Sequence, residues 1–195
     1  MLAHAALALS LVVRLYDAHG VPPDTKAAAR NVVDRILSDA GIHVTWTQCP
    51  CDSRVLSSEL MIRIAVAPSS VDPSSLGFSY IDVEQRSGTL ATVFADRVHT
   101  LARLADVDEG ELLGRTMAHE IAHLLLGTRD HAEAGLLRGR WTSLELAKNQ
   151  PVDWRLSRGD GARLRGALVR RLRTPLAAAT AIARRDLDDA ALSAP

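Results

Sequence analysis

One stretch, Asp108 to Gly127, constrains this chain more than any other. Asp108 followed by Glu111 has the spacing of a capping box, which marks a helix start, and Gly127 is a good left-handed closing residue. With His119 taken as the origin around the helix axis, Leu113, Met117, Ile121 and Leu124 fall between about 120° and 200°. That face must be covered by other elements. His119 and His123 lie about 40° apart on the opposite side, one turn from each other. A helix so patterned is expected to present two imidazoles side by side.

The flanking sequence supplies the cover. Leu9–Tyr16, Ile42–Thr47, Leu60–Ala67 and Gly88–Ala95 read as strands. Asp24 to Ala40, with Ala28, Val32, Val33, Ile36 and Leu37 on one face, reads as a helix, as does Asp96–Leu104. Ser69–Gly77 is rich in Ser and Pro and reads as loop. Beyond Trp141 the pattern is helical. Thr142 and Glu145 form a second capping box, and Leu164, Leu168 and Leu172 repeat every four residues before Pro175. Strands alternating with helices, then an all-helical end, predict an α+β fold with a mixed twisted sheet. One domain over residues 1–175 is expected, with 176–195 as an Ala-rich helical or flexible tail.

Composition excludes several classes. The chain has 195 residues, 47% of them hydrophobic, and 23 basic against 23 acidic side chains. Such a chain is neither disordered nor collagen-like, and no apolar run nears the roughly 20 residues of a membrane span. The neutral total argues against a nucleic-acid partner. It conceals an asymmetry: residues 138–195 hold 12 basic and 6 acidic side chains, and residues 1–137 hold 11 and 17. The arginines of 155–173 fall between the leucines of an amphipathic helix and read as a solvated face. Trp46, Trp141 and Trp154 read as packing anchors.

The apolar run Leu2–Val13 lacks a preceding Lys or Arg, and Arg14 and Tyr16 stand where a signal peptide wants small residues. Residues 1–8 are a candidate leader remnant. An extracytoplasmic location is expected if the run is a truncated leader, and a cytoplasmic one otherwise. Cys49-Pro50-Cys51 is too tight for an ordinary disulfide and reads as two thiols at a strand end.

The chemistry is concentrated in His119-Glu120-Ile121-Ala122-His123 and the run to His131. Three of the seven histidines fall within these 13 residues. Two imidazoles four apart on a helix can reach one Zn²⁺ at about 2.0–2.1 Å each. Glu120, about 100° round from His119, is too far to ligate but able to reach a water on the metal. Gly127 lets the chain turn back, and His131 would complete three protein ligands with one open position.

These residues resemble the zincin metallopeptidases, and more narrowly the metzincins, whose signature is His-Glu-x-x-His-x-x-Gly-x-x-His followed by a methionine-containing turn. Here the motif is longer by two residues, and Gly135-Leu136-Leu137-Arg138 stands in place of the turn. The run His119–Trp141 is similar to a group of bacterial zincin-like proteins with this longer spacing and a Gly-Ile-Met-Arg turn. The resemblance implies a zinc-dependent endopeptidase with Glu120 as general base, a peptide or protein substrate, and His119, His123 and His131 as zinc ligands. The same helix also resembles ImmA/IrrE-type peptidases. In these, as in gluzincins, the third ligand is a Glu, for which Glu133 and Glu145 are the candidates. A non-catalytic zinc-binding domain on the same fold is the remaining alternative. Many metzincins place an assisting tyrosine after the turn. Tyr16 and Tyr80 both precede the helix, which leaves His99 or Arg138 for that role. By order along the chain, Gly88–Ala95 is the expected edge strand for substrate.

Overall fold

The structure is a computed structural model and describes residues 9–48, 56 and 58–173. The Cys49-Pro50-Cys51 segment, residues 1–8 and the tail from 176 lie outside the described residues. Chain order is β1 (Leu9–Asp17), α1 (Pro23–Asp39), β2 (Ile42–Gln48), β3 (Leu60–Ala65), β4 (Gly77–Asp82), β5 (Ser87–Phe94), α2 (Ala95–Ala105), α3 (Glu109–Leu126), α4 (Ser143–Lys148), a 3₁₀ turn (Pro151–Trp154) and α5 (Arg158–Arg173). The expected α+β architecture, with a mixed sheet and a helical C-terminal part, is what the chain adopts.

The five strands are ordered β2-β1-β3-β5-β4. The first four run parallel, and β4 pairs antiparallel with β5 at the edge. Central parallel strands are covered on both faces and therefore read as apolar runs. Leu11, Val13 and Leu15 of β1 and Leu60, Ile62 and Ile64 of β3 are buried accordingly. Arg14, also on β1, is buried and forms an ion pair with Glu59 at 2.7 Å. The loop from β1 into α1 is drawn tight by Asp17. Its carboxylate accepts from the backbone N–H of Gly20 (2.9 Å) and Val21 (3.0 Å) and from Lys26 Nζ (2.7 Å).

One expectation about the sheet needs correction. β5 is not an edge strand, because it pairs with β3 on one side and β4 on the other. The edge on that side is β4, whose residues lie between the Ser69–Gly77 loop and the Gly88–Ala95 strand and carry no expectation of their own. Ser69–Gly77 is indeed irregular up to Gly77, where β4 begins. A six-residue edge strand, entered from a Ser/Pro-rich loop and bulged between Tyr80 and Ile81, carries little periodic signal of its own.

α3 packs against α1, α2 and α5 and against strands β3, β4 and β5. It is buried on nearly every side rather than on one face, Arg115, Thr116, His119, Glu120 and His123 included. At its start Asp108 accepts from Glu111 N at 2.7 Å, yet the expected box is only half made. The Glu111 carboxylate turns instead to Arg35 and Arg115. At its end Gly127 has φ +62°, and a Cβ there would lie 2.1 Å from the backbone of Arg86. The second box, between Thr142 and Glu145, is complete.

In the C-terminal third Leu164 and Leu168 are buried and Leu172 is exposed. Most of the arginines there face solvent, as expected. Arg171 does not: its guanidinium donates to Gly88 O (2.8 Å) and Glu59 O (3.3 Å), and burial pushes its pKa down to about 10.

Candidate metal centre

The helical spacing of His119 and His123 brings their rings to 4.5 Å between centroids. Each ring is aimed by its inner nitrogen. His119 Nδ1 donates to Leu136 O and His123 Nδ1 donates to Thr128 O, both at 2.8 Å. A carbonyl can only accept, so both Nδ1 atoms carry the proton and both Nε2 atoms present a lone pair. Those two Nε2 atoms face each other at 2.9 Å. Two lone pairs that close repel unless a cation lies between them. Tetrahedral zinc would set such a pair about 3.3 Å apart. His131, on the exposed loop after Gly127, completes a group whose three ligand atoms lie within 4.8 Å of one another.

Electrostatics agree with a cation-binding role. Burial, reinforced by the neighbouring His123 and opposed by the Leu136 carbonyl, lowers the pKa of His119 to about 3. Burial also lowers His123, with the Thr128 carbonyl opposing. Both imidazoles are therefore neutral at physiological pH, the form that ligates a metal. The donor set (three neutral imidazoles, two of them oriented by backbone carbonyls) suits zinc.

Glu120 points to the neighbouring strand. Ser79 Oγ on β4 donates to its Oε2 at 2.7 Å and lies 3.0 Å from its backbone O. Burial raises the Glu120 pKa to about 7, against the opposing hydrogen bond from Ser79. A cation at the histidines would draw it down again. Gly77 permits this approach, since a Cβ there would meet Thr92 O at 2.7 Å and Glu120 Oε1 at 3.0 Å. Sequence reasoning missed both Ser79 and Gly77, because the only signal for either was the unseen strand β4.

The turn Gly135–Arg138 lies beside the histidines. Leu136 is fully buried and Leu137, in the methionine position, is 4% exposed. Leu136 O orients His119, while Leu136 N donates to Arg155 O at 3.1 Å. Trp141 sets its ring edge-on to His119 at 5.6 Å, so it borders the site as well as packing on Trp154.

The other expected residues divide. Glu145 is held by Thr142 and by Arg138 at 3.0 Å. Neither it nor the exposed Glu133 belongs to the histidine group. His99 pairs with Glu109 at 2.7 Å on the protein surface and takes no part in the groove. Arg138 does line the groove, as does Tyr80, which reaches it from β4 although it precedes the helix in sequence. Two cavities, of about 240 and 550 Å³, meet at Gly77, His119, Glu120 and His131 and form one groove along β4.

Two solved structures share this architecture. The crystal structure of archaemetzincin from Methanopyrus kandleri matches with a TM-score of 0.53 and 15% identity, over 86% of this chain and 99% of that one. Metalloproteinase-II from Bacteroides fragilis matches with a TM-score of 0.51 and 13% identity over 85% of this chain, which spans 55% of that protein's length. No protein-family model and no curated protein matches the sequence. At such identities the likeness is one of fold: the chain shares the fold of these two proteins.

Proposed function

We propose that this protein is a zinc-dependent metalloendopeptidase, with His119, His123 and His131 holding the metal and Glu120 as general base. The observation that carries this reading is the pair of Nε2 lone pairs converging beside a buried carboxylate, with a third imidazole in reach. When bound, zinc would polarise the scissile carbonyl and make water more acidic. Glu120 takes the proton of the attacking water and returns it to the departing amine. Ser79 keeps the carboxylate turned along β4, and the carbonyls of Leu136 and Thr128 hold the two helix imidazoles in one tautomer. The β4 edge offers main-chain donors and acceptors to an extended peptide, which would add as a further strand. Groove on both sides of the histidines suits cleavage within a chain rather than at its end.

The decisive comparison is wild type against Glu120→Gln on a proteome-derived peptide library, with and without chelator, and with zinc measured by atomic absorption. The variant is expected to keep one zinc and to lose cleavage by three orders of magnitude or more, on the order of 4 kcal/mol of barrier. Cleavage surviving in Glu120→Gln would remove the mechanism. Zinc bound without any cleavage in wild type would favour a binding domain on the same fold.

A further inference from the structure

A second cavity, of about 510 Å³, lies between α1, the first half of α3, the 3₁₀ turn and the start of α5. It shares no lining residue with the groove at the histidines. Its volume is that of a small-molecule site. Five arginines line it, Arg35, Arg115, Arg155, Arg158 and Arg165, against two carboxylates, Asp39 and Glu111.

The arginines are unequally occupied. Arg35 and Arg115 share Glu111, at 3.0 and 2.9 Å. Arg165 donates to Ala40 O at 2.7 Å. The side chains of Arg155 and Arg158 are exposed and make no hydrogen bond or ion pair with any described residue. Arg115 is the unusual member. Its side chain is only 4% exposed, and its guanidinium lies 4.1 Å over the ring of Trp154. Nη2 is bonded to Asn149 Oδ1 at 2.6 Å, while Nη1 is buried without a partner among the described residues. A buried donor left unpaired is costly, and a small shift of Arg115 toward the cavity it lines would bring Nη1 to a ligand acceptor. Burial also holds the Arg115 guanidinium below its ordinary range, with Glu111 opposing.

We propose that this cavity binds a small organic phosphate, held by Arg155, Arg158 and the buried Arg115, with its apolar part against Ile36, Pro151 and Leu156. The excess of guanidinium over carboxylate selects the ligand class. A carboxylate brings one charge, whereas a phosphomonoester brings about −1.5 to −2 and three acceptor oxygens. Guanidinium forks match those oxygens in pairs. A concave site of about 510 Å³ suits a small molecule rather than a polymer. The site stands independently of the peptidase reading.

The test is isothermal titration calorimetry of the full chain with phenyl phosphate, inorganic phosphate and benzoate. Phenyl phosphate is expected to bind once per chain, more tightly than either comparator. Arg155→Ala/Arg158→Ala alters two exposed, unbonded side chains and should leave the circular dichroism spectrum unchanged while weakening binding by more than about tenfold. His119→Ala should leave phenyl phosphate binding intact. Four outcomes would overturn the assignment: no saturable binding at millimolar phenyl phosphate, equal affinity in the double variant, loss of binding in His119→Ala, or benzoate binding as well as phenyl phosphate.

Discussion

Gly77 shows how narrow the tolerances are beside Glu120. Any side chain there would press on the carbonyl of Thr92 and on the Glu120 carboxylate together. Gly77→Ala is expected to leave the fold intact by circular dichroism and to cut peptidase activity by about 100-fold, the effect of misplacing a reacting group by an ångström. Steady-state assays of the folded variant check this, and undiminished activity would show that Glu120 has room to move. The contrast between neighbouring residues explains what could be read beforehand. His119, Glu120 and His123 were legible because their relative placement is helical geometry and nothing else. Gly77 and Ser79 reach Glu120 through strand β4, dozens of residues upstream, and no local pattern encodes that meeting.

At the level of elements, the strands and helices with strong periodicity were read nearly to their ends. β1 and α1, for instance, each differ by a residue or so from expectation. What failed were elements defined by their partners. β4 is a strand because β5 lies beside it, and the Asp108 cap is one-sided because Arg35 and Arg115 compete for Glu111. The β1–α1 connection gives a pH-dependent test. Burial opposes ionisation of Asp17, but hydrogen bonds from Lys26, Gly20 and His19 outweigh it and hold the carboxyl below its ordinary value of 3.8. A depressed native pKa stabilises the fold above the unfolded pKa, and that contribution fades as pH falls through the native pKa. Asp17→Asn is therefore expected to cost on the order of 1 kcal/mol at neutral pH, after screening of a partly exposed pair. The deficit should shrink steadily below the unperturbed value of 3.8. Guanidinium denaturation of both proteins across that range measures it, and a deficit independent of pH would show that the charge is not what matters.

For the whole molecule, the charge asymmetry takes on a spatial meaning. The acidic first part of the chain carries the sheet and the histidine helix. The arginine-rich part behind it contributes three of the five guanidiniums around the second cavity. Neither the cavity nor its unpaired Arg115 nitrogen could be foreseen from sequence, where the same arginines read as a helix facing solvent. Metal binding should register globally as well. Free zinc at 100 times its dissociation constant is expected to stabilise the protein by about 2.7 kcal/mol, raising the melting temperature by about 5–10 °C over chelated protein. His131→Ala should abolish most of that rise, as scanning calorimetry would show. A wild type indifferent to zinc would argue against the site altogether.

Leu136 sits between the two halves. Its carbonyl aims His119 and its amide is anchored to Arg155, just past the 3₁₀ turn. The imidazole cluster is thus not a portable module. A fragment ending at His131 would carry all three imidazoles, yet His119 would be free to rotate away from the other two. The basic C-terminal third is thereby part of the centre's scaffold, although it supplies none of the three imidazoles.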